Sequence, residues 1–198
     1  VIFAVRINSK PMSDFITIYA EATPNPDSMK FVVSKMILPN DSADYRTLEK
    51  AEGNSPLAVA IFKEYPFANG VFIMNNFVSV TKLPDVAWSD YITPMREFIK
   101  AYIEGGNEII SANKTLSTEE ESEIEAKIKK LLDDHVKPAV EMDGGAIQFK
   151  SYNDGVVNLM LQGSCSGCPS SMVTLKAGIE GMMKRMIPEV KEVVAEAE

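Results

Sequence analysis

The chain has 198 residues, of which 45% are hydrophobic and 24% are charged, and these proportions suit two globular domains of about 100 residues each. Its formal net charge of −8 at pH 7 argues against nucleic acid and anionic membranes as partners, because both are negatively charged. No apolar run reaches the roughly 20 residues that a membrane-spanning helix needs. Residues 1–11 lack the basic start of a secretory signal, and we expect them to be an upstream extension before a natural start at Met12.

The first half of the chain predicts a small α+β domain. Thr23-Pro24-Asn25-Pro26 excludes a regular strand, so it predicts a loop between two β-rich segments. Ser55 and Pro56 predict the start of a helix, because serine is a good N-cap and proline suits the first helical position. Residues 41–53 are polar, and we expect a turn and an irregular stretch there. The predicted elements, in chain order, are strands over 15–21 and 29–36, a helix from Pro56, strands over 70–74 and 77–83 that turn at Asn75-Asn76, and a helix over 88–103.

A polar stretch with Gly105-Gly106 separates this half from a second α+β domain. We place the N-terminal domain at 13–104, a linker at 105–116 and the C-terminal domain at 117–198. The predicted fold class is therefore α+β, with two small domains that each pack helices on a short β-sheet. The predicted elements of the second domain are a helix from a Ser117–Glu120 capping box to Pro138, a tight turn at 141–145, strands over 146–152 and 156–161 around an Asn153-Asp154-Gly155 turn, a helix after Pro169, and a short strand over 190–194.

The only two cysteines, Cys165 and Cys168, lie three positions apart. Two thiols at this spacing can bind the same metal, and Gly163 and Gly167 allow the backbone to turn sharply around it. Pro169 suits the first turn of the following helix, whose N-terminal N–H groups favour the negative charge of thiolates. A secreted disulfide framework would show more cysteines, so we predict a reducing compartment and a cytoplasmic location.

The number of available ligands is the main physical clue to the chemistry. A four-iron cluster or a structural zinc ion needs four ligands, and the chain offers two thiols and one histidine, His135. His135 lies at a predicted helix end, where a cap or surface role explains it. A second identical chain would complete the site, unless the thiols act without metal. The residues leave three hypotheses open, namely a carrier of an iron–sulfur cluster shared by two chains, a dithiol oxidoreductase, and a zinc-bridged structural dimer.

Longer stretches of sequence around these residues resemble a known family. The second half resembles the C-terminal domain of NifU and Nfu-type proteins through Pro138-Ala139-Val140, Asp143-Gly144-Gly145 and the run Gly163–Ser171. The first half resembles the N-terminal domain of many Nfu proteins through Thr23-Pro24-Asn25-Pro26, Met29-Lys30-Phe31 and Phe77–Lys82. The chain departs from the family pattern in two places. Ala146 stands where the family often has an acidic residue, and Asn75-Asn76 forms a hairpin turn where the family usually has a glycine.

This resemblance implies a non-enzymatic scaffold or carrier. Such a protein holds a [4Fe–4S] cluster between the two subunits of a homodimer, and Cys165 and Cys168 fall on the family's ligand positions. It passes the cluster to apo iron–sulfur client proteins, and its N-terminal domain implies contacts with clients or with cluster-assembly proteins.

Overall fold

Two β-sheets organise the chain, one in each half. The structure is a computed structural model and describes residues 15–111, 122–166 and 169–197. Within these residues the first sheet has five strands and the second has three, and helices pack on both. The predicted α+β class is confirmed. No helix in the described ranges is long and apolar enough to cross a membrane.

The first sheet is antiparallel throughout, in the strand order β1-β2-β5-β4-β3. The predicted hairpin at Asn75-Asn76 is confirmed, and Asn75 adopts a positive φ of 48° at the turn. Ser55 caps the second helix as expected, because its side chain accepts a hydrogen bond from Ala58 N. The elements of this half are β1 Ile18–Ala22, β2 Ser28–Val33, β3 Leu38–Tyr45, α1 Leu48–Ala51, α2 Pro56–Glu64, β4 Ala68–Asn75, β5 Phe77–Lys82 and α3 Ile92–Glu104.

The five-stranded sheet is covered on both faces. Alternate side chains of its central strands enter the main core together with α2 and α3, and this core includes Phe31, Val33, Ile73, Val78, Leu57, Ile61, Met95 and Ile99. The residues between them point to the opposite face, because side chains alternate along a strand. That outer face packs against the second half of the chain, where Val32, Phe72 and Phe77 contact Ala146.

Strand β3 corrects the sequence-based prediction for residues 41–53. The polar sequence there predicted a turn and an irregular stretch, but the structure forms an eight-residue strand that continues to Tyr45, followed by the short α1. Among the described strands, β3 lies at the edge of the sheet and pairs with β4 alone, and an edge strand needs fewer apolar side chains than a central one. A register shift between Leu38 and Ser42 includes Asn40 at a φ of 56°, which further obscures the alternation.

The second sheet has the order β6-β7-β8, with β6 and β7 antiparallel and β7 and β8 parallel. The predicted turn is confirmed, since Asp154 and Gly155 both have positive φ. Its separate core includes Ile128, Leu132, Val140, Ile147, Leu159, Leu161 and Met183. The elements of this half are α4 Glu123–Leu131, α5 Lys137–Met142, β6 Gly145–Asn153, β7 Val156–Gly163, α6 Pro169–Met186 and β8 Glu192–Ala197.

The prediction that Pro138 ends the helix is wrong. A π-helical turn over Leu132–Val136 joins α4 to α5, and the Lys137 N–H donates to the carbonyl of Leu132. The wider turn restarts the helix at Lys137, so Pro138 occupies the first turn of α5, where no N–H is needed. The predicted cap at Ser117 and Glu120 lies outside the described residues.

The described helix α4 begins with a different capping box. The Ser122 side chain accepts from Glu125 N at 3.3 Å, and the Ser122 N–H donates to the Glu125 carboxylate at 2.9 Å. This backbone N–H is the main cause that lowers the pKa of Glu125. Ser122 and Glu125 therefore fix the start of the second domain's first described helix.

Replacement of the capping serine tests this helix start. We expect Ser122→Ala to lower the free energy of unfolding by about 1 kcal/mol, because the Glu125 N–H loses its acceptor. Urea denaturation followed by circular dichroism measures the change. Ser122→Asp is the control and should keep most of the stability, since aspartate is also a good N-cap. An unchanged urea midpoint for the alanine variant would contradict the cap.

Candidate functional site

Cys165 lies directly after strand β7. It occupies a short 3₁₀ turn over Ser164–Ser166, and its side chain is buried with 6% exposure. Helix α6 begins at Pro169, as predicted. Gly167 and Cys168 lie outside the described residues. The structure thus places the first proposed ligand and the helix that follows the motif.

Two paired glycines on adjacent strands precede the cysteine turn in space, and one of them contacts the Cys165 side chain. Gly145 pairs with Gly163 at the end of the β6/β7 ladder. A Cβ atom at Gly145 would lie only 2.8 Å from Cys165 Sγ and 2.6 Å from the Gln162 carbonyl oxygen. Gly163 has a φ of 67°, and a Cβ there would lie 2.8 Å from the Gly144 carbonyl oxygen. The predicted sharp turn at Gly163 is confirmed, whereas the role of Gly145 was missed although the motif that contains it was singled out.

Hydrogen bonds tie the cysteine turn to the segment Asp143-Gly144-Gly145. The Ser164 hydroxyl donates to the carbonyl of Asp143 in a short hydrogen bond, and the Ser164 N–H donates to the carbonyl of Gly144 at 3.3 Å. The Ser166 hydroxyl donates to the carbonyl of Gly163 at 2.9 Å. The two motifs that the sequence analysis singled out in this half therefore form one local structure.

A cavity of about 390 Å³ opens beside Cys165. Asp143, Ser164 and Cys165 line one part of it, and Thr174 and Leu175 of α6 line another. Pro24 and Asn25 from the first half of the chain complete the described lining. The first domain therefore contributes to the surroundings of the cysteine, and no sequence motif indicated this.

Side chains of the first domain hydrogen-bond to the backbone of Ser164 and to that of Gly163, the residue before the turn. Asn25 Nδ2 donates to the Ser164 carbonyl at 3.1 Å, across 139 positions of sequence. The Asp44 carboxylate accepts from the Gly163 N–H at 2.8 Å. Asn25 belongs to a motif that was identified in the sequence, whereas Asp44 lies on the edge strand that was not predicted.

His135 does not belong to this site in the described structure. Its side chain is exposed on the π turn and lines a different cavity with Met186 and Ile187. In the parts of the chain that the structure describes, no three His, Cys, Asp or Glu side chains are arranged to hold a metal ion.

Comparison with known proteins identifies the family. Residues 128–194 match the sequence model of the NifU-like domain, and residues 18–106 match that of the scaffold protein Nfu/NifU N terminal. The chain belongs to the NifU/Nfu family. It is 38% identical over 187 residues to NifU-like protein 4, mitochondrial, of Arabidopsis thaliana. This match covers 90% of this chain and 65% of that protein. It is 36% identical over 183 residues to the human NFU1 iron-sulfur cluster scaffold homolog, mitochondrial, which covers 90% of this chain and 71% of that protein.

The predicted cytoplasmic location is wrong on this comparison, because the Nfu relatives are named as mitochondrial proteins. The prediction rested on cysteine usage. Two clustered thiols distinguish a reducing from an oxidising compartment, but they do not distinguish one reducing compartment from another.

A methyl group at Gly145 tests the geometry of this Nfu site. We expect Gly145→Ala to displace Cys165 and to lower the free energy of unfolding by about 1–3 kcal/mol, because the new Cβ overlaps Sγ and a backbone carbonyl. Urea denaturation measures stability, and the alkylation rate of Cys165 in a Cys168→Ser background measures the displacement.

Gly178→Ala is the matched control for this substitution. Gly178 lies within α6 and a Cβ there meets no atom within 4 Å. We expect that variant to keep the alkylation rate and to gain up to about 1 kcal/mol, since alanine favours a helix. Equal behaviour of the two variants would show that Cys165 does not depend on Gly145.

Proposed function

We propose that this chain is an iron–sulfur cluster carrier whose cargo is a [4Fe–4S] cluster bound by Cys165 and Cys168 of two identical chains. The observation that carries the proposal is the position of Cys165 on a glycine-lined turn, before the first residue of α6 and beside a cavity of about 390 Å³. Its membership of the NifU/Nfu family supports the same role, as does a relative named as an iron-sulfur cluster scaffold.

The chemistry of the residues suits cargo that is held and then released. Thiolates bind iron, and the N-terminus of α6 offers N–H groups and a dipole that stabilise negative charge nearby. Two cysteines per chain supply half of the thiolates that a four-iron cluster needs, so a second chain supplies the rest.

Transfer requires only ligand exchange, and we propose that the chain is not an enzyme. Each iron–sulfur bond to a carrier cysteine breaks as a bond to an acceptor cysteine forms. The acceptor thiol loses a proton and the released carrier thiolate gains one, so no electron is exchanged. The proposed partners are a second copy of the chain, apo iron–sulfur proteins and cluster-assembly proteins. We retain the domains at 13–104 and 117–198, joined by the linker 105–116, as part of this proposal.

Cluster stoichiometry tests the proposal directly. After anaerobic reconstitution, we expect about four irons and four sulfides per two chains, together with the mass of a dimer. Cys165→Ala and Cys168→Ala should each lose the cluster because they remove ligands. Alanine is preferred to serine at Cys165, since this side chain is buried in the core of the second domain. His135→Ala is the control and should keep full iron content.

Other stoichiometries would favour the other hypotheses. One zinc ion per two chains without sulfide would indicate a zinc-bridged dimer. Absence of metal with a reversible Cys165–Cys168 disulfide would indicate a dithiol oxidoreductase. About two irons and two sulfides per two chains would replace the proposed cargo by a [2Fe–2S] cluster.

Delivery is a separate prediction from binding. We expect the loaded chain to activate an apo enzyme that depends on a [4Fe–4S] cluster, at a rate that an iron chelator in solution does not suppress, because the cluster passes directly between proteins. The comparison is free iron and sulfide at the same concentration, which the chelator should suppress. Equal suppression in both mixtures would show that the chain only releases iron.

A further inference from the structure

The central part of the outer face of the five-stranded sheet is buried although it carries several polar side chains. Five polar residues on this face are each less than 10% exposed, namely Ser28, Lys30, Ser42, Ser79 and Thr81. A row of polar residues on a strand is ordinarily a solvent-exposed face. Burial of such a face indicates that something specific covers it, and in this structure the cover is the segment of the second domain around Cys165.

A small apolar cluster lies within this contact. Val32, Phe72 and Phe77 of the sheet pack against Ala146 of β6, and Met74 lies beside them. The approach is close at two backbone positions of the second domain. A Cβ at Gly163 would lie 2.8 Å from the Phe72 ring, and a Cβ at Gly144 would lie 2.8 Å from the Ser79 hydroxyl oxygen.

The backbone of Gly163 is held from both sides by β3 and the residue after it. The Asp44 carboxylate accepts from the Gly163 N–H at 2.8 Å, and Arg46 Nη2 donates to the Gly163 carbonyl at 3.3 Å. Arg46 also pairs with Asp44 at 3.1 Å, and the Asp44 side chain is only 1% exposed. This paired arrangement fixes the residue that lies two positions before Cys165.

Lys30 anchors the contact at the end of helix α5. Its ammonium group donates to the carbonyls of Glu141 and Met142 at 3.0 and 3.2 Å, and it lies 4.7 Å from the centre of the Phe77 ring. These carbonyls belong to the C-terminal turn of α5, where a cation is favoured by the helix dipole.

The motifs by which the first half resembles an Nfu N-terminal domain each contribute to this contact. Asn25 of the first motif reaches the Ser164 carbonyl, Lys30 of the second reaches α5, and Phe77 of the third packs on Ala146. The residues that make the first domain recognisable are therefore among those that touch the cysteine-bearing segment.

We propose that the outer face of the N-terminal sheet is a docking surface for the cysteine turn of the same chain, and that this closed arrangement opens before two chains share a cluster. The second statement rests on the proposed function. Four thiolates surround one cluster, so the turn of a second chain has to stand opposite Cys165. In the closed arrangement Pro24 and Asn25 line that space, and Cys165 is 6% exposed.

Asn25→Asp opens the contact with little change of shape. The Asn25 Oδ1 atom accepts from the Asp27 N–H at 3.0 Å, and aspartate keeps that bond and with it the turn. Its second oxygen replaces the amide donor and faces the Ser164 carbonyl, so a hydrogen bond becomes a repulsion in a buried position. At pH 8 in a Cys168→Ser background, we expect N-ethylmaleimide to alkylate Cys165 about tenfold faster or more than in the parent chain.

Asn107→Asp is the matched control. Asn107 follows the end of α3, on the opposite side of the sheet, and its amide donates to the Tyr102 carbonyl at 2.8 Å. The substitution therefore makes the same charge change away from the docking surface. We expect the parent alkylation rate. If Asn25→Asp also reacts at the parent rate while its urea midpoint remains that of a folded chain, the docking surface is overturned.

Lys30→Met provides a second, independent opening variant if Asn25→Asp does not fold. It keeps the apolar stem near Phe77 and removes the donor to the α5 carbonyls. Lys100→Met is its control, since Lys100 also lies near an aromatic ring, that of Phe15 at 5.7 Å, and pairs with Glu104 of its own helix. Faster alkylation of Cys165 in the first variant alone supports docking, and equal rates overturn it.

The rate of cluster uptake, measured in chains that keep both cysteines, tests whether opening of the contact is needed for cluster binding. We expect the opened variants to load iron and sulfide several-fold faster than the parent chain. Faster alkylation with unchanged loading would overturn the required opening and leave the docking surface in place. Failure of every variant and the parent to take up a cluster would overturn the proposed function, whereas the alkylation result would still decide the docking surface.

Discussion

The conformation of Gly163 determines where Cys165 lies. Its φ of 67° turns the chain out of β7, and only a residue without a Cβ fits there, because Gly144 and Phe72 approach from opposite domains. Both polar groups of its backbone are held by side chains of the first domain. The start of the cysteine turn, the pairing of Gly145 with Gly163 and the contact between the domains therefore depend on this one position.

The contact between the domains suits an arrangement that forms and releases. Its apolar part is a small cluster around Phe72 and Phe77, separate from the large cores of the two domains. Each domain keeps its own core when the contact opens, so separation does not require unfolding. Most of the remaining contact consists of hydrogen bonds, and water replaces them on opening. Each therefore contributes only about 0.5–1.5 kcal/mol net between neutral groups and about 1.5–3 kcal/mol where a charged group takes part.

The buried pair Asp44 and Arg46 adds specificity to this contact more than stability. Both charges are largely removed from water, and the cost of that removal offsets much of their attraction. What they add is geometry, because an acceptor and a donor face the N–H and the carbonyl of the same residue. A docking position shifted by one residue would leave these charges and peptide groups without partners. The cost of unpaired buried groups therefore favours the observed position over shifted ones.

Several turns and helix starts follow from the residues of short segments alone. Ser55 before Pro56, Asn75 at one hairpin and Asp154-Gly155 at another have short-range conformational preferences that few alternatives satisfy. The count of two cysteines limits the thiol ligands that one chain can offer to two. Short-range patterns did not predict strand β3, because an edge strand can form without the alternating apolar residues of a central strand. They also did not predict the helix that contains Pro138, because the preceding π turn lets a new helix begin at Lys137. Only the tertiary structure brought Asn25 to Ser164 across 139 positions and Asp44 to Gly163 across 119. Polar residues on one face of a strand predict exposure to solvent. Whether that face is covered depends instead on how the two domains pack against each other, which short segments of sequence do not specify.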